Sequence, residues 1–328
     1  MPELPDIVVY IEALERYVLG EEVRGVRVAS PAVLRTYDPP YDAPVGKKVI
    51  GLHRVGKRIA FELNEIEGQR PPSNPPTRRG SAGRAVSSAS ASPLGSPDPI
   101  YLVFHLMVAG RLRWEAPRKA IPKKVGLAAI DFDSGSLILT EQGTHKRAGM
   151  WIFDSWDGVD RLDRGGVEPL EIDEVGFAEA LRSENRTLKR ALTDPRIFSG
   201  IGNAYSDEIL WEAKLSPVKR TSQLDADEVA RLHEAVVRSL NEWTERLREE
   251  VGQGWPTKVT AFRADMAVHG KYGEPCPRCG SNVQRIVYSS NETNYCATCQ
   301  TGGKLLADRS LSRLLKEDWP KTLEELEG

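Results

Sequence analysis

The stretch RIFSGIGNAYSDEILW, residues 196–211, joins two segments with helical patterns and indicates the architecture most directly. Gly200 and Gly202 permit a tight turn, because glycine adopts backbone angles that other residues avoid. The N–H groups of such a turn, together with the dipole of the following helix, form an anion site that Asn203 would complete. The stretch is therefore either an ordinary helix-to-helix connection or a phosphate-binding turn.

Helical spacing of apolar residues continues on both sides of this turn. It is present in VGFAEALRS, NRTLKRALTD and NAYSDEILWEAKL, and in a longer segment, residues 227–251. We predict a helical domain over residues 166–260, a zinc finger over 261–303 and a charged tail over 304–328.

The N-terminal part of the chain has a different pattern. A helix is predicted from Asp6 to Val18, before Gly20, and short runs that alternate apolar and polar residues follow it. We predict an N-terminal β-sandwich domain over residues 1–155 and an α+β fold for the whole chain. Residues 66–98 are rich in Pro, Ser, Gly and Arg and form a predicted disordered insertion. It is either an insertion that the loop between two strands tolerates or a loop whose arginines contact a phosphate backbone.

The four cysteines are spaced C-x2-C-x16-C-x2-C and comprise Cys276, Cys279, Cys296 and Cys299. In a reducing compartment this spacing indicates one structural zinc ion, since four thiolates leave no open coordination position. The alternative is two disulfides in an exported protein. The sequence shows neither a signal-peptide pattern nor an apolar run of about 18 residues, so we expect a cytoplasmic protein with no membrane partner.

The charges nearly cancel: 45 Lys and Arg residues stand against 47 Asp and Glu residues. A site for a polyanion must therefore be a local basic patch. Two basic clusters qualify, one in HRVGKRIA around Lys57 and one that flanks the glycine turn and includes Lys189. Each is either a solvated surface or one wall of a nucleic-acid groove.

The opening residues, MPELPDIVVY, place a proline directly after the initiator methionine. Removal of Met1 would leave the secondary amine of Pro2 just ahead of a helix N-terminus. An α-amine has an ordinary pKa of about 8, and the positive end of the helix dipole would lower it, which favours a nucleophile. The alternative is an unreactive terminus in which Pro5 only starts the helix.

These pieces together resemble one family. The chain is similar to the formamidopyrimidine-DNA glycosylase and endonuclease VIII family, which comprises base-excision enzymes with a helix-two-turn-helix motif. The matching segments, in family order, are PELPD, GKRIAFEL, HLMVAGRL, GVEPL, SGIGNAYSDEIL, VHGKYGEPCPRCG and YCATCQ.

The resemblance implies a DNA glycosylase with abasic-site lyase activity that acts by β,δ-elimination in base excision repair. Pro2 would attack C1′ of the damaged nucleoside to form a Schiff base, and Glu3 would be the general acid and base. Lys57 would contact the phosphates around the extruded nucleotide. Asp6, a possible supporting residue, stands where many relatives have glutamate.

The resemblance also implies double-stranded DNA with damaged bases or abasic sites as the partner of a monomeric protein, with the DNA-bound protein on the nucleoid. The expected DNA-binding residues are Met107, Arg147, Lys189, Gly202 and Asn203. Met107 and Arg147 would fill the void left by the extruded base, although Met107 could instead be a strand residue.

Two departures from the family pattern concern DNA binding. Asn291 stands where many relatives present an arginine to a phosphate, and Ala148 replaces a void-filling phenylalanine. These departures leave a non-catalytic DNA-binding protein of the same fold as the alternative, and a zinc-ribbon protein acting on RNA as a third interpretation. The short segment before the zinc cysteines favours oxidised pyrimidines, whereas the PELPD opening favours 8-oxoguanine or formamidopyrimidine, so the lesion stays open.

Overall fold

The structure is a computed structural model that describes residues 1–65, 99–260, 262–288, 291–307, 313–316 and 320–327. The predicted disordered insertion, residues 66–98, lies outside the described residues. Among the described residues, no helix is both long enough and apolar enough to cross a bilayer.

The N-terminal part is the predicted β-sandwich. Its strands are β1 Gly25–Val28, β2 Lys48–Val55, β3 Arg58–Asn64, β4 Ile100–His105, β5 Gly110–Glu115, β6 Gly126–Asp131, β7 Ser136–Glu141 and β8 Gly149–Phe153. The first sheet has the order β2-β3-β4-β8 and the second has the order β1-β6-β7-β5, with every neighbouring pair antiparallel.

The first helix, α1 (Leu4–Val18), joins this sandwich to the rest of the chain. Ile7, Tyr10 and Leu14 are fully buried in the sandwich core, as their helical spacing predicts. Leu4, at the start of the same helix, instead belongs to the core of the helical part. The N-terminus is therefore held at the junction of the two parts.

The helical part follows a short helix that packs against β4 and β8 of the sandwich. Its long last helix, α6 (Ala226–Val251), begins with a capping box formed by Asp225 and Glu228, which satisfies two of its free N–H groups. The helices are α2 Trp156–Asp160, α3 Glu174–Arg182, α4 Leu188–Thr193, α5 Asn203–Glu212 and α6 Ala226–Val251, with 3-10 turns at Pro31–Val33 and Thr221–Gln223.

After α6 the chain returns to the sandwich before it reaches the zinc finger. The indole Nε1 of Trp255 donates a hydrogen bond to the Leu112 carbonyl (3.0 Å), and its ring packs against Tyr17 and Trp114. The zinc finger carries the antiparallel hairpin β9 (Gln284–Tyr288) and β10 (Asn291–Tyr295), followed by α7 (Ala297–Thr301) and, near the end of the chain, α8 (Leu323–Glu327). The α+β fold class is confirmed.

Candidate active site

Glu3 is the N-cap of α1, and its buried carboxylate is bound at the start of α5. Oε2 accepts hydrogen bonds from the backbone N–H groups of Gly202 (2.7 Å) and Tyr205 (3.3 Å), and Oε1 accepts one from Ala204 (3.0 Å). A carboxylate suits this position because the N-terminus of a helix carries partial positive charge. Glu3 is therefore fixed in one orientation by the helical part of the molecule.

The glycine turn matches neither of its two interpretations completely. The turn is an anion site, but the anion is the Glu3 carboxylate of the same chain rather than a phosphate. A Cβ at Gly202 would lie 2.5 Å from Glu3 Oε1, so glycine is required for this approach. The expected DNA contact from Gly202 is not supported, since its N–H group is already used.

Lys57 lies at the tip of the β2-β3 hairpin, in a two-residue turn whose first residue, Gly56, has a φ of 60°. Its Nζ lies close to Gly202, since a Cβ at that glycine would be 2.7 Å from the Lys57 nitrogen. Burial lowers the pKa of Lys57, and Lys189 lowers it further, whereas Glu3 raises it. Among the described residues it has no hydrogen bond or ion pair, so its ammonium group is available to a ligand.

Glu3 and Lys57 line a cavity of about 770 Å³ that lies between the N-terminus, α5 and the zinc hairpin. Asn203 and Asn291 lie on its wall, as does Met1. Burial is the main reason that the pKa of the Met1 amine is lowered. The cavity thus brings together Glu3, Lys57, Asn203 and the altered position Asn291, four residues that the sequence singled out.

Lys189 has a different position from the one expected. Its Nζ donates hydrogen bonds to the Asn203 carbonyl (2.6 Å) and to Asp207 Oδ1 (2.5 Å), and its side chain is only 10% exposed. This burial argues against a direct DNA contact, because the ammonium group is already paired. Lys189 supports the first turn of α5 and, through it, Asn203, whose side-chain amide donates to the Glu292 carbonyl (2.9 Å).

Several other basic side chains near these elements are paired within the protein. Arg54 binds Glu168, and Arg196 binds Asp194 at 2.7 Å. His53 lies 2.9 Å from Glu62. In the two sequence clusters, Arg54, Lys189 and Arg196 thus form ion pairs within the protein, whereas Lys57 lines the cavity.

Asp6 lies directly behind the Pro2-Glu3 segment. Its Oδ2 accepts a hydrogen bond from the Glu3 backbone N–H (2.9 Å), and Arg263 lies 3.4 Å from its Oδ1. Burial raises the pKa of Asp6 to about 6, although the Glu3 N–H and Arg263 oppose this shift. Arg263 also binds Glu250 at 2.9 Å, so a charged chain connects the start of α1 to α6.

The expected void-filling residues Met107 and Arg147 lie just beyond the same end of the β4-β8 pair, where His105 is opposite Gly149. Met107 lies in the turn between β4 and β5 with a φ of 51°, so the interpretation as a strand residue is wrong because β4 ends at His105. Its neighbour Val108 is 60% exposed and lies on the cavity wall. Arg147 is exposed in the loop before β8, whereas Ala148 is buried in the sandwich core.

Sequence reasoning missed the pair Phe262 and His269, which also line the cavity. His269 Nδ1 lies 2.8 Å from Asp207 Oδ2, and both side chains are buried. The available signal was their place in the segment that leads into the zinc cysteines, but neither residue had an assigned role.

The four cysteine sulfurs lie within 4.8 Å of one another, as one tetrahedral zinc site requires. Cys279 and Cys296 are 3.4 Å apart, and Cys276 and Cys299 are 4.0 Å apart. The β9-β10 hairpin lies against α5, and Trp211 Nε1 of that helix lies 3.3 Å from Cys276 Sγ. The predicted structural zinc site is confirmed by this arrangement together with the zinc-finger match described next.

Three family models match the sequence in the order expected. They are described as the formamidopyrimidine-DNA glycosylase N-terminal domain over residues 1–142, the corresponding H2TH domain over 166–251, and a zinc finger found in FPG and IleRS over 273–302. A formamidopyrimidine-DNA glycosylase-like protein of Mycobacterium tuberculosis is 40% identical over 151 residues, 46% of this chain and 94% of that protein.

The chain belongs to the formamidopyrimidine-DNA glycosylase and endonuclease VIII family. Within this family, the formamidopyrimidine-DNA glycosylase of Lactococcus lactis subsp. cremoris is 27% identical, with 92% of this chain and 99% of that protein covered.

Solved structures of the same family have the same fold. The Lactococcus lactis glycosylase bound to DNA with an abasic site has a TM-score of 0.69 at 25% identity and covers 91% of this chain and 99% of its own. A complex of that glycosylase with DNA containing an oxidised pyrimidine has a TM-score of 0.70 at 25% identity, with 92% and 100% covered.

Proposed function

We propose that this protein is a DNA glycosylase that removes damaged bases and then cleaves the strand at the abasic site. The observation that carries the proposal is the fixed carboxylate of Glu3, held by the N-terminus of α5 beside the ammonium group of Lys57. Both groups face one cavity between the two parts of the molecule. The glycosylase relatives over most of the chain support the same activity.

The nucleophile in this proposal is the secondary amine that Pro2 acquires when Met1 is removed. Its nitrogen would form a bond to C1′ of the damaged nucleoside, while the electron pair of the glycosidic bond leaves with the base. Opening of the sugar ring gives an iminium ion. Loss of a proton from C2′ then expels the 3′ phosphate, and a second elimination expels the 5′ phosphate.

Glu3 would transfer the protons in these steps. Among the described residues, Oε1 accepts one hydrogen bond, from Ala204, whereas Oε2 accepts two. Oε1 therefore keeps a lone pair with which it can take the proton of the attacking amine and deliver it to the sugar ring oxygen.

Lys57 and Asn203 would hold the phosphates of the extruded nucleotide. Flipping a nucleotide out of the stack costs a few kcal/mol, and charge-assisted phosphate contacts offset that cost. A cleft of this kind encloses a duplex without a second subunit, so we propose a monomer that acts on duplex DNA at the nucleoid, in the cytoplasm.

Borohydride trapping tests the proposal. Wild-type protein, Pro2→Gly and Glu3→Gln would be incubated with duplexes that contain an abasic site, 8-oxoguanine or an oxidised pyrimidine. We expect a covalent band with the wild type on the abasic duplex and on at least one base lesion, and a much weaker band with either variant. The base lesions that give a band define the substrate class.

A non-catalytic DNA-binding protein is the second candidate, and Asn291 is the observation that favours it. This neutral residue lies on the cavity wall, where an arginine would give a charged phosphate contact. Measurable binding to damaged duplexes without any trapped band, with Met1 shown to be removed, would establish this candidate instead.

A further inference from the structure

Phe262 is a large aromatic side chain that is 70% exposed, although it lies on the wall of the cavity that holds Glu3 and Lys57. An aromatic ring on a cavity wall offers a flat apolar face to a bound group. The other wall groups that carry the proposed chemistry are polar, so Phe262 provides a π-face within a charged site.

The ring of Phe262 is backed on one side. The imidazole of His269 lies nearly parallel to it, with ring centroids 5.6 Å apart and an interplanar angle of 21°. Gly270 lies against the ring edge, since a Cβ at this position would be 2.9 Å from Phe262 Cδ1. His269 and Gly270 thus contact one side of the ring, and the remainder of the ring is exposed to the cavity.

The support itself is rigid. Asp207 binds the His269 ring at 2.8 Å, and the Glu208 carboxylate accepts the backbone N–H groups of residues 267, 268 and 269. The Gly270 N–H donates to Asn294 Oδ1 (2.9 Å), which connects the platform to the zinc hairpin. Helix α5 and the zinc finger therefore hold the Phe262-His269 pair in one position.

We propose that Phe262, supported by His269, is the surface on which the extruded damaged base stacks. The assignment rests on the proposed function, because it places the base beside the sugar that Pro2 and Glu3 would attack. A nucleobase is the occupant that fits, since it presents a flat π-face, whereas sugar and phosphate groups would be held by Lys57 and Asn203. Stacking accepts any flat base, so both oxidised purines and oxidised pyrimidines would use this surface.

The experiment compares substrates that have a base with substrates that do not. Phe262→Leu keeps an apolar side chain and removes the π-face, and Phe262→Tyr keeps the π-face. Tyr37→Leu is the matched control, because Tyr37 is 79% exposed and is not among the residues that line the cavity. Single-turnover excision and equilibrium affinity would be measured on duplexes with 8-oxoguanine or 5-hydroxycytosine, and on duplexes with an abasic site or its tetrahydrofuran analogue.

We expect Phe262→Leu to reduce excision of the base lesion, and the affinity for that duplex, by about tenfold or more. Cleavage of the abasic duplex and affinity for the tetrahydrofuran duplex would stay within about twofold, and Phe262→Tyr and Tyr37→Leu would resemble the wild type. Equal losses on both kinds of duplex, or no loss, would overturn the assignment while the proposed function stands. If the wild type neither binds nor traps any of these duplexes, the proposed function fails and the assignment fails with it.

Discussion

Glu3 and Gly202 are 199 positions apart in the sequence, yet the Gly202 N–H donates to Glu3 Oε2 over 2.7 Å. A second bond, from the Leu4 N–H to the Gly200 carbonyl (3.0 Å), joins the same two segments. Because α1 also packs in the sandwich core, these bonds fix the proposed catalytic residues at the junction of the two parts. The proposed chemistry therefore depends on how the sandwich and the helical part are positioned.

Substitution of Lys57 and of Lys189 by methionine should affect the stability of the protein differently. Lys57→Met removes a cation that has no partner among the described residues, so we expect little change in thermal stability and a loss of DNA cleavage. Lys189→Met leaves the buried Asp207 carboxylate without its ammonium partner, so we expect a loss of about 3 kcal/mol in the free energy of unfolding. Denaturant unfolding and strand cleavage, measured on both variants, check the two expectations. Equal stability of the two variants would contradict the positions assigned to them.

The raised pKa of Asp6 predicts a specific dependence of stability on pH. Its pKa is about 6 in the folded protein, against 3.8 ordinarily, so the folded state binds the proton more tightly. The contribution of Asp6 to stability is thus fully present below about pH 4 and is lost as the pH rises through about 6. Asp6→Asn removes this titration, so the stability of the variant relative to the wild type should rise by about 2 kcal/mol between about pH 4 and about pH 7.5.

The measurement for Asp6 is thermal unfolding of both proteins across that pH range. Asp265→Asn provides the control, since Asp265 is 61% exposed and its only ion pair among the described residues is a loose one with Arg246, at 3.6 Å. Parallel stability curves for wild type and Asp6→Asn would show that the pKa of Asp6 is not raised.

Asn291 predicts a gain of DNA affinity. Asn291→Arg would add a cation at the cavity wall, and we expect about tenfold tighter binding of an abasic-site duplex. The slope of the logarithm of the binding constant against the logarithm of the salt concentration should also become steeper by about one. Asn282→Arg adds the same charge at a position of the zinc finger that does not line the cavity. If both variants gain equally, the effect is one of net charge and Asn291 has no special position.

Zinc removal should weaken DNA binding through Asn203. The zinc site fixes the hairpin whose Glu292 carbonyl accepts the Asn203 amide, so chelation should release that side chain and lower the affinity by about tenfold or more. Trp211 contacts Cys276, so its fluorescence should change in parallel and the change should be absent in Trp211→Phe. Readdition of zinc should restore both signals. Unchanged affinity after verified zinc loss would contradict this coupling.

The sequence predicted those parts of the molecule that depend on local patterns. Helical spacing indicated α1 and α6, alternation indicated the sandwich, and cysteine spacing indicated the zinc site. The sequence left the glycine turn open between an ordinary helix-to-helix connection and a phosphate-binding turn. The Glu3 carboxylate that occupies it could not be predicted, because Glu3 lies 199 positions away in the chain.

The pairing of buried charged side chains could not be predicted from the sequence either. Lys189 belongs to a basic sequence cluster and was expected to face DNA, but its side chain turns inward to Asp207. Arg263 binds Asp6 across 257 positions, and nothing in the local sequence around either residue indicates this pair. Phe262 resembles an ordinary core residue in the sequence, and only the fold shows that its ring faces a cavity.

Peptide mapping of the borohydride-trapped complex tests the central proposal most directly. After nuclease and trypsin digestion, the sugar remnant should be found on the N-terminal peptide, residues 2–16, which contains no lysine. Fragmentation should locate the added mass on the Pro2 nitrogen. A remnant on a lysine-containing peptide, such as one that includes Lys57, would contradict the assignment of Pro2 as the nucleophile.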